Sequence, residues 1–447
     1  MRLKIAGGRV FDPANGWHGE ERDLYVEGGR LVPHLSAVDR VVNARGRMVC
    51  AAGVELRGQV ASYGLNFLRL WGRLPSPQEL GAAYATRGYT HVHEPFLTSY
   101  TAGYVHRQLA ALPLVDTSAS LVLNLRELDL WLGVPERLPE LQQTILFLLE
   151  QTRALNVRLV EPFVRYRQDF YAHRTLKMQQ ALEILARLAT GLTLPLVLEA
   201  SPELLRLPLP EPRAFHLAAL GPALLGDDLL AAALGHLEQG TTADLGLLSS
   251  EAADRPKVQV DLGWFQPLDL APPADAGAAR RALALAAQYQ GPNLAFSGAG
   301  VGLSAPAADP RLFSRLRHGT VDPEGPQLSL SRWVWMTRTL PARLLGLEDR
   351  GHLTPGARAD VALYDLPAAA PRSQWGEALS RCRLLTKAGK IVVENFQVVG
   401  PEVAKACYFR RTGAVGGPLL AELCQYLSFR PENLWAAVEM GGPWVGL

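Results

Sequence analysis

Two histidines one residue apart are the clearest chemical signal in this chain. His91 and His93 fall in Gly88-Tyr89-Thr90-His91-Val92-His93, a short apolar run that reads as a strand. At spacing i, i+2 on a strand both imidazoles face the same side. With Glu94 or His106 they would make a mononuclear metal site; the commoner use of such a pair is a packed, hydrogen-bonded one. A second chemistry is open to the carboxylates that end or flank strand candidates. These are Glu55, Glu94, Asp116, Glu161, Glu199 and Asp261, any two of which suit metal-free acid/base work. No Ser-His-Asp or Cys-His set assembles. Gly-x-Ser-x-Gly does not occur at a strand-to-helix turn. Ser297-Gly298-Ala299-Gly300-Val301-Gly302 is glycine-rich but has neither dinucleotide nor P-loop spacing, and reads as a loop.

The elements that must position these groups come in three blocks. Residues 1–50 alternate short apolar runs with turns, including a strand, Gly28-Gly29, strand hairpin. Residues 51–345 alternate strands with Leu/Ala-rich helices. Strands are expected at 88–93, 120–124, 157–160, 194–199 and 257–261. Helices are expected at 79–87, 138–155, 175–190, 226–238, 276–289 and 329–346. Strands alternating with helices imply parallel β/α units, and at this length a (β/α)8 barrel is favoured over an open sheet. Residues 346–400 return to β character and should pair with 1–50 in one sandwich. Residues 401–447 form an extension with one helix, in which Trp435 and Trp444 serve packing or an oligomer contact.

Composition bounds the function. The chain has 447 residues, 48% hydrophobic and 20% charged, with a net charge of +2. Such a balance gives no electrostatic footprint for nucleic acid. Cys50, Cys382, Cys407 and Cys424 show no C-x-x-C spacing. No apolar run reaches about 18 residues and the first residues carry no signal-peptide pattern, so a cytoplasmic protein without a membrane span is expected. His18, His34, His173, His236, His318 and His352 read as surface residues.

Two motifs carry a resemblance. Gly53-Val54-Glu55-Leu56-Arg57-Gly58-Gln59 resembles the strand that opens an amidohydrolase barrel. Pro341-Ala342 through Leu347, then Gly351 through Asp360, resembles that superfamily's C-terminal signature. A narrower likeness joins Tyr84–Pro95, Leu112–Asp116, Leu155–Pro162 and Leu347–Leu353. It is to the A subunit of formylmethanofuran dehydrogenase, which also occurs in the formyltransferase/hydrolase complex of one-carbon metabolism. The resemblance implies an α/β fold, a (β/α)8 barrel with a composite β-sandwich. It also implies hydrolysis of an N-formyl amide by two zinc ions, bridged by a carboxylated lysine and ligated by histidines.

The sequence departs from that pattern in four places. Arg57 and Gln59 stand for the first histidine pair, and guanidinium has no lone pair for a metal. Arg158 stands for the bridging lysine, Val197-Leu198-Glu199 for a histidine strand, and Ser297 for the aspartate that the resemblance implies as proton shuttle near the last strand; His216 corresponds to a further histidine. The expectation is therefore a vestigial pocket of Arg57, Gln59, Arg158, Arg165, Arg167, Glu199, His216 and Ser297, with no catalytic residue named. Its arginines would take carboxylates of a carrier, or pair with Glu55, Glu161 or Glu199. No cofactor is expected, one zinc at His91 and His93 being the alternative. The expected role is a non-catalytic or carrier-binding subunit beside other subunits of a formyltransferase/hydrolase-type complex, with a methanofuran-like carrier. An active C–N hydrolase and a small-molecule binding protein are the alternatives. Neither nucleic acid nor membrane is expected as a partner.

Overall fold

A computed structural model describes residues 2–61, 75–123, 134–159, 178–246, 276–298, 328–400, 404–426 and 443–447, with Leu132, Ala436 and two short strands at 259–260 and 268–269. Eight parallel strands lie side by side in chain order. They are Gly53–Glu55 (β1), Tyr89–Leu97 (β2), Asp116–Leu123 (β3), Asn156–Leu159 (β4), Leu196–Glu199 (β5), Phe215–Ala218 (β6), Thr242–Asp244 (β7) and Leu294–Ala295 (β8). Every residue of β2 and β3 is buried, as strands covered on both faces must be. The sheet curls until its edge strands meet across a side chain: Gly298 N, just past β8, donates to Glu55 Oε1 of β1 at 3.0 Å.

Helices join the strands on the outside. The helix before β2, Pro77–Thr86, starts with a capping box in which Ser76 Oγ accepts from Glu79 N and Glu79 reaches back to Ser76 N. It ends at Gly88, whose φ of +87° suits glycine, and a Cβ there would stand 2.2 Å from Tyr364 Oη.

The second sheet is mixed. Strand Val361–Tyr364 pairs antiparallel with Met48–Ala51, which pairs in turn with Leu3–Asp12, so segments before and after the barrel share one nine-stranded sheet. Gly28 and Gly29, at φ +61° and +83°, make the tight turn between two of its strands. The composite sandwich and the barrel expected from the sequence are both present.

Two expectations about elements are corrected. The strand placed at 257–261 does not enter the barrel; residues 259–260 pair antiparallel with 268–269. The extension is more than a helix and tail. Its strand Cys407–Phe409 pairs parallel with the first half of β3 and carries Trp444–Gly446 on its far side. Trp444 packs edge-on against His106 and Phe409, while Trp435 lies outside the described residues.

An apolar cluster of Val54, Leu56, Leu155, Ala295 and Tyr408 against Leu340, Leu345 and Leu347 closes the barrel base. Beside it sits a buried charge cluster. Asp116 pairs with Arg350, with Lys387 at 2.6 Å and with Arg358 at 3.2 Å. Asp360 pairs with Arg350 at 3.2 Å and Arg358 at 3.3 Å, and Tyr408 Oη accepts from Arg350 at 2.8 Å. The cluster ties β3, the C-terminal signature, the sandwich and the extension together. Burial works against the Asp116 carboxylate, but the three cations outweigh it and hold its pKa well below the usual range.

Candidate functional site

The mouth of the barrel collects most of the residues that the sequence singles out. Arg57 and Gln59 follow β1, Arg158 is on β4, Glu199 ends β5, His216 is on β6 and Ser297 follows β8. Arg165 and Arg167 lie outside the described residues. Glu199 sits between two guanidinium groups: Arg158 Nη1 pairs with Oε1, and Arg57 Nη2 lies 3.4 Å from Oε2. Both guanidinium groups also stand over the Phe96 ring, 5.4 and 5.7 Å from its centroid. Of the glutamates named as partners for these arginines, Glu199 pairs with both. Glu55 accepts instead from Arg57 N and Gly298 N, at 2.8 and 3.0 Å, and Glu161 is outside the described residues. Gln59 holds a left-handed backbone, φ +42°, and its buried Oε1 has no hydrogen-bond partner among the described residues.

A residue that sequence pattern does not flag organises the other half of the mouth. Asp244, on β7, accepts from His216 Nε2 at 2.9 Å, from Ala219 N at 3.2 Å and from Ser297 Oγ. Gly246 N donates to Ser297 Oγ at 2.9 Å. Burial would raise the Asp244 pKa. The bonds from His216 and Ser297, with the charge of Arg158, outweigh burial and bring it down to about 2. A carboxylate held that low is a weak base, and it stands between the serine and the histidine, so this is no nucleophile-activating triad. The short stretch Thr242-Ala243-Asp244 carries little strand signal, which is why Asp244 does not stand out in the sequence.

His91 and His93 point into the barrel below the mouth. Ser118 Oγ lies 2.8 Å from His91 Nε2 and 2.7 Å from His93 Nδ1; Ser120 Oγ lies 2.7 Å from His93 Nε2 and donates to Asn156 Oδ1. These contacts fix every proton. Ser120 spends its hydrogen on Asn156, so it accepts from His93 Nε2–H. His93 Nδ1 then accepts from Ser118, which in turn accepts from His91 Nε2–H. Burial keeps both rings neutral: it lowers His93 to about 3, with Arg158 adding, and puts His91 well below its ordinary value, with Arg350 adding. Of the four ring nitrogens only His91 Nδ1 keeps a free lone pair. The companions proposed for a metal are turned away. Glu94 accepts from the amides of Val60 and Ala61 at 2.7 Å, and His106 bonds Thr152 O at 2.8 Å. His236, expected at the surface, is buried and bonds Leu205 O.

Comparison with known proteins gives this arrangement a context. The amidohydrolase family matches residues 306–393. The A subunit of the formyltransferase/hydrolase complex Fhc of Methylorubrum extorquens is 28% identical, over 89% of this chain and 89% of that protein. The crystal structure of the formyltransferase/hydrolase complex from the same organism, with methylofuran, superposes with a TM-score of 0.78 at 21% identity, covering 100% of this chain and 99% of that one. The chain has the amidohydrolase fold. The likeness to the superfamily, and to the A subunit within it, is borne out. N-acyl-D-glutamate deacylase of Bordetella bronchiseptica, solved with zinc and a phosphonate inhibitor, superposes with a TM-score of 0.53 at 18% identity over 87% of this chain and 96% of that one.

These relatives correct one expectation. The sequence departures suggest that no cofactor is needed, yet a deacylase of the same fold is solved with zinc, and that expectation is withdrawn. The donors at the mouth do not fit a binuclear centre of the kind the resemblance implies. Arg57 and Arg158 offer no lone pair, and Glu199 and Asp244 are engaged by cations and hydrogen bonds. Among the described residues no group of three or more His, Cys, Asp or Glu is placed to hold a metal. Among the described residues no helix is long and apolar enough to cross a membrane.

Proposed function

We propose that this chain serves as an A-type subunit of a formyltransferase/hydrolase-like complex in one-carbon metabolism, and that its barrel mouth binds rather than hydrolyses. The observation that carries the reading is the Arg57–Glu199–Arg158 clamp. It fills with fixed charge the positions where the resemblance puts a histidine, the bridging lysine and another histidine. Two guanidinium groups share one carboxylate, so the clamp itself carries one uncompensated positive charge that suits an incoming carboxylate. A carrier with a glutamate-rich tail, of the methanofuran kind, offers such groups. The similarity to the Fhc protein over most of both chains supports the context of a complex.

The test is co-expression with homologues of the other three subunits, followed by assay of N-formyl amide hydrolysis with zinc supplied. A stable complex is expected, with no hydrolysis by the isolated chain and weaker carrier binding in Arg57→Gln. Hydrolysis by the isolated chain above the rate of a heat-inactivated control overturns the non-catalytic reading. Failure to assemble with any homologue of those subunits overturns the complex.

A further inference from the structure

Enzymes on this kind of barrel use the face at the strands' C-terminal ends, and the opposite face ordinarily serves stability. Here the opposite end holds a cavity of about 60 Å³. It runs from the start of β4 and β5, at Asn156 and Pro195, up to the underside of Arg158, and Arg410 stands at its rim. That volume holds a few waters or one small anion.

The hydrogen-bonding capacity facing the cavity is one-sided. The acceptors are spent: both nitrogens of His93 are bonded to serines, and Asp244 is satisfied by His216, Ala219 and Ser297. Asn156 has its oxygen engaged by Ser120, which leaves its NH2 as the free end. The donors are not spent. Arg158, 3% exposed, has its Nε buried without a partner among the described residues. Arg410 bonds backbone oxygen, Nε to Leu155 O at 3.2 Å, and has no carboxylate partner among the described residues. Burial lowers the pKa of both guanidinium groups, a cost that an anion in the cavity would offset.

We propose that this basal cavity binds a small planar oxyanion, of the size of nitrate or acetate, between Arg158 and Arg410. Planar oxyanions match the in-plane donors of guanidinium. The cavity shares Arg158, His216 and Asp244 with the floor of the mouth, while Glu199 and Arg57 do not line it.

The experiment is titration of the full chain with sodium nitrate and sodium acetate, by calorimetry and thermal melting, against sodium chloride at matched ionic strength. Saturable binding is expected for nitrate or acetate, with no comparable effect of chloride. In Arg410→Gln the affinity falls at least about tenfold, the loss of one charge-assisted hydrogen bond. The half-buried rim position lets this variant melt near the wild type without anion, and Arg410→Lys supplies the same readout with the charge retained. Equal shifts with chloride, or unchanged nitrate affinity in Arg410→Gln, overturn the proposal. Loss of nitrate binding in Arg57→Gln but not in Arg410→Gln also overturns it, because the anion would then sit at the mouth.

Discussion

Replacing Asp116 by asparagine tests whether the base of the barrel is held by charge. The side chain is fully buried, and its carboxylate faces Arg350, Lys387 and Arg358. Two of those cations, Arg350 and Lys387, are buried as deeply; Asp360 is the other buried carboxylate, and the more exposed Asp349 reaches Arg350 at 3.9 Å. Asp116→Asn keeps the shape and removes one of the two buried negative charges, leaving three cations against Asp360 and the outer Asp349. Breaking a buried ion pair by deleting one partner costs about 3–5 kcal/mol, because the surviving charge cannot recover its hydration. Against a total stability on the order of 5–15 kcal/mol the loss is large. Urea unfolding at pH 7.5, followed by tryptophan fluorescence, reads it as a lower midpoint with an unchanged slope. The companion Asp116→Asn/Lys387→Met removes one cation as well, and recovers part of the loss if charge imbalance is the cause. A loss below about 1 kcal/mol in the single variant, or no recovery in the double, refutes the reasoning.

Three further outcomes are expected. Glu199→Gln strips the clamp of its carboxylate and leaves the buried Arg158 unpaired; a loss of about 2–4 kcal/mol, somewhat under the fully buried case because Glu199 is partly exposed, is read from urea midpoints. Stability also depends on the buried neutral histidines. Burial depresses His91, His93 and His106, the last two to about 3 and 4, so their contribution is complete above pH 6.5 and is lost as pH falls toward those values. At pH 5 His93 and His106 cost about 2 kcal/mol each, about 4 together, and His91 acts in the same direction, before the depressed Asp116 and Asp244 titrate below about 4; a flat urea midpoint between pH 7.5 and 5 would contradict this. Gly88→Ala forces a Cβ onto Tyr364 Oη at φ +87° and lowers stability by about 2–4 kcal/mol, measured by thermal melting.

The fold was legible in the sequence where local pattern and global position agree. The Gly28-Gly29 turn, the Ala-Asp strand at 359–364 and the long amphipathic helices each announce their element. Barrel strands of two to four residues, such as 242–244 and 294–295, carry too few side chains for a period to show, and so β7 and Asp244 are invisible in the pattern. Of the candidate site, the residue identities were legible and their pairings were not. Arg57, Arg158 and Glu199 are far apart in sequence, and only closure of the sheet decides that one glutamate meets both arginines while Glu55 turns to backbone amides. Asp116 shows the same limit from the other side. As a sequence it is a carboxylate beginning a barrel strand, a fair candidate for acid/base work. Its place at the barrel base, opposite the mouth and locked to three cations, gives it a pKa far too low for a base and no path to a substrate. What separates the two roles is the end of the strand on which the residue falls. Asp116 opens β3 while Glu199 closes β5, and this parity with strand direction is the feature that sequence spacing alone leaves unread.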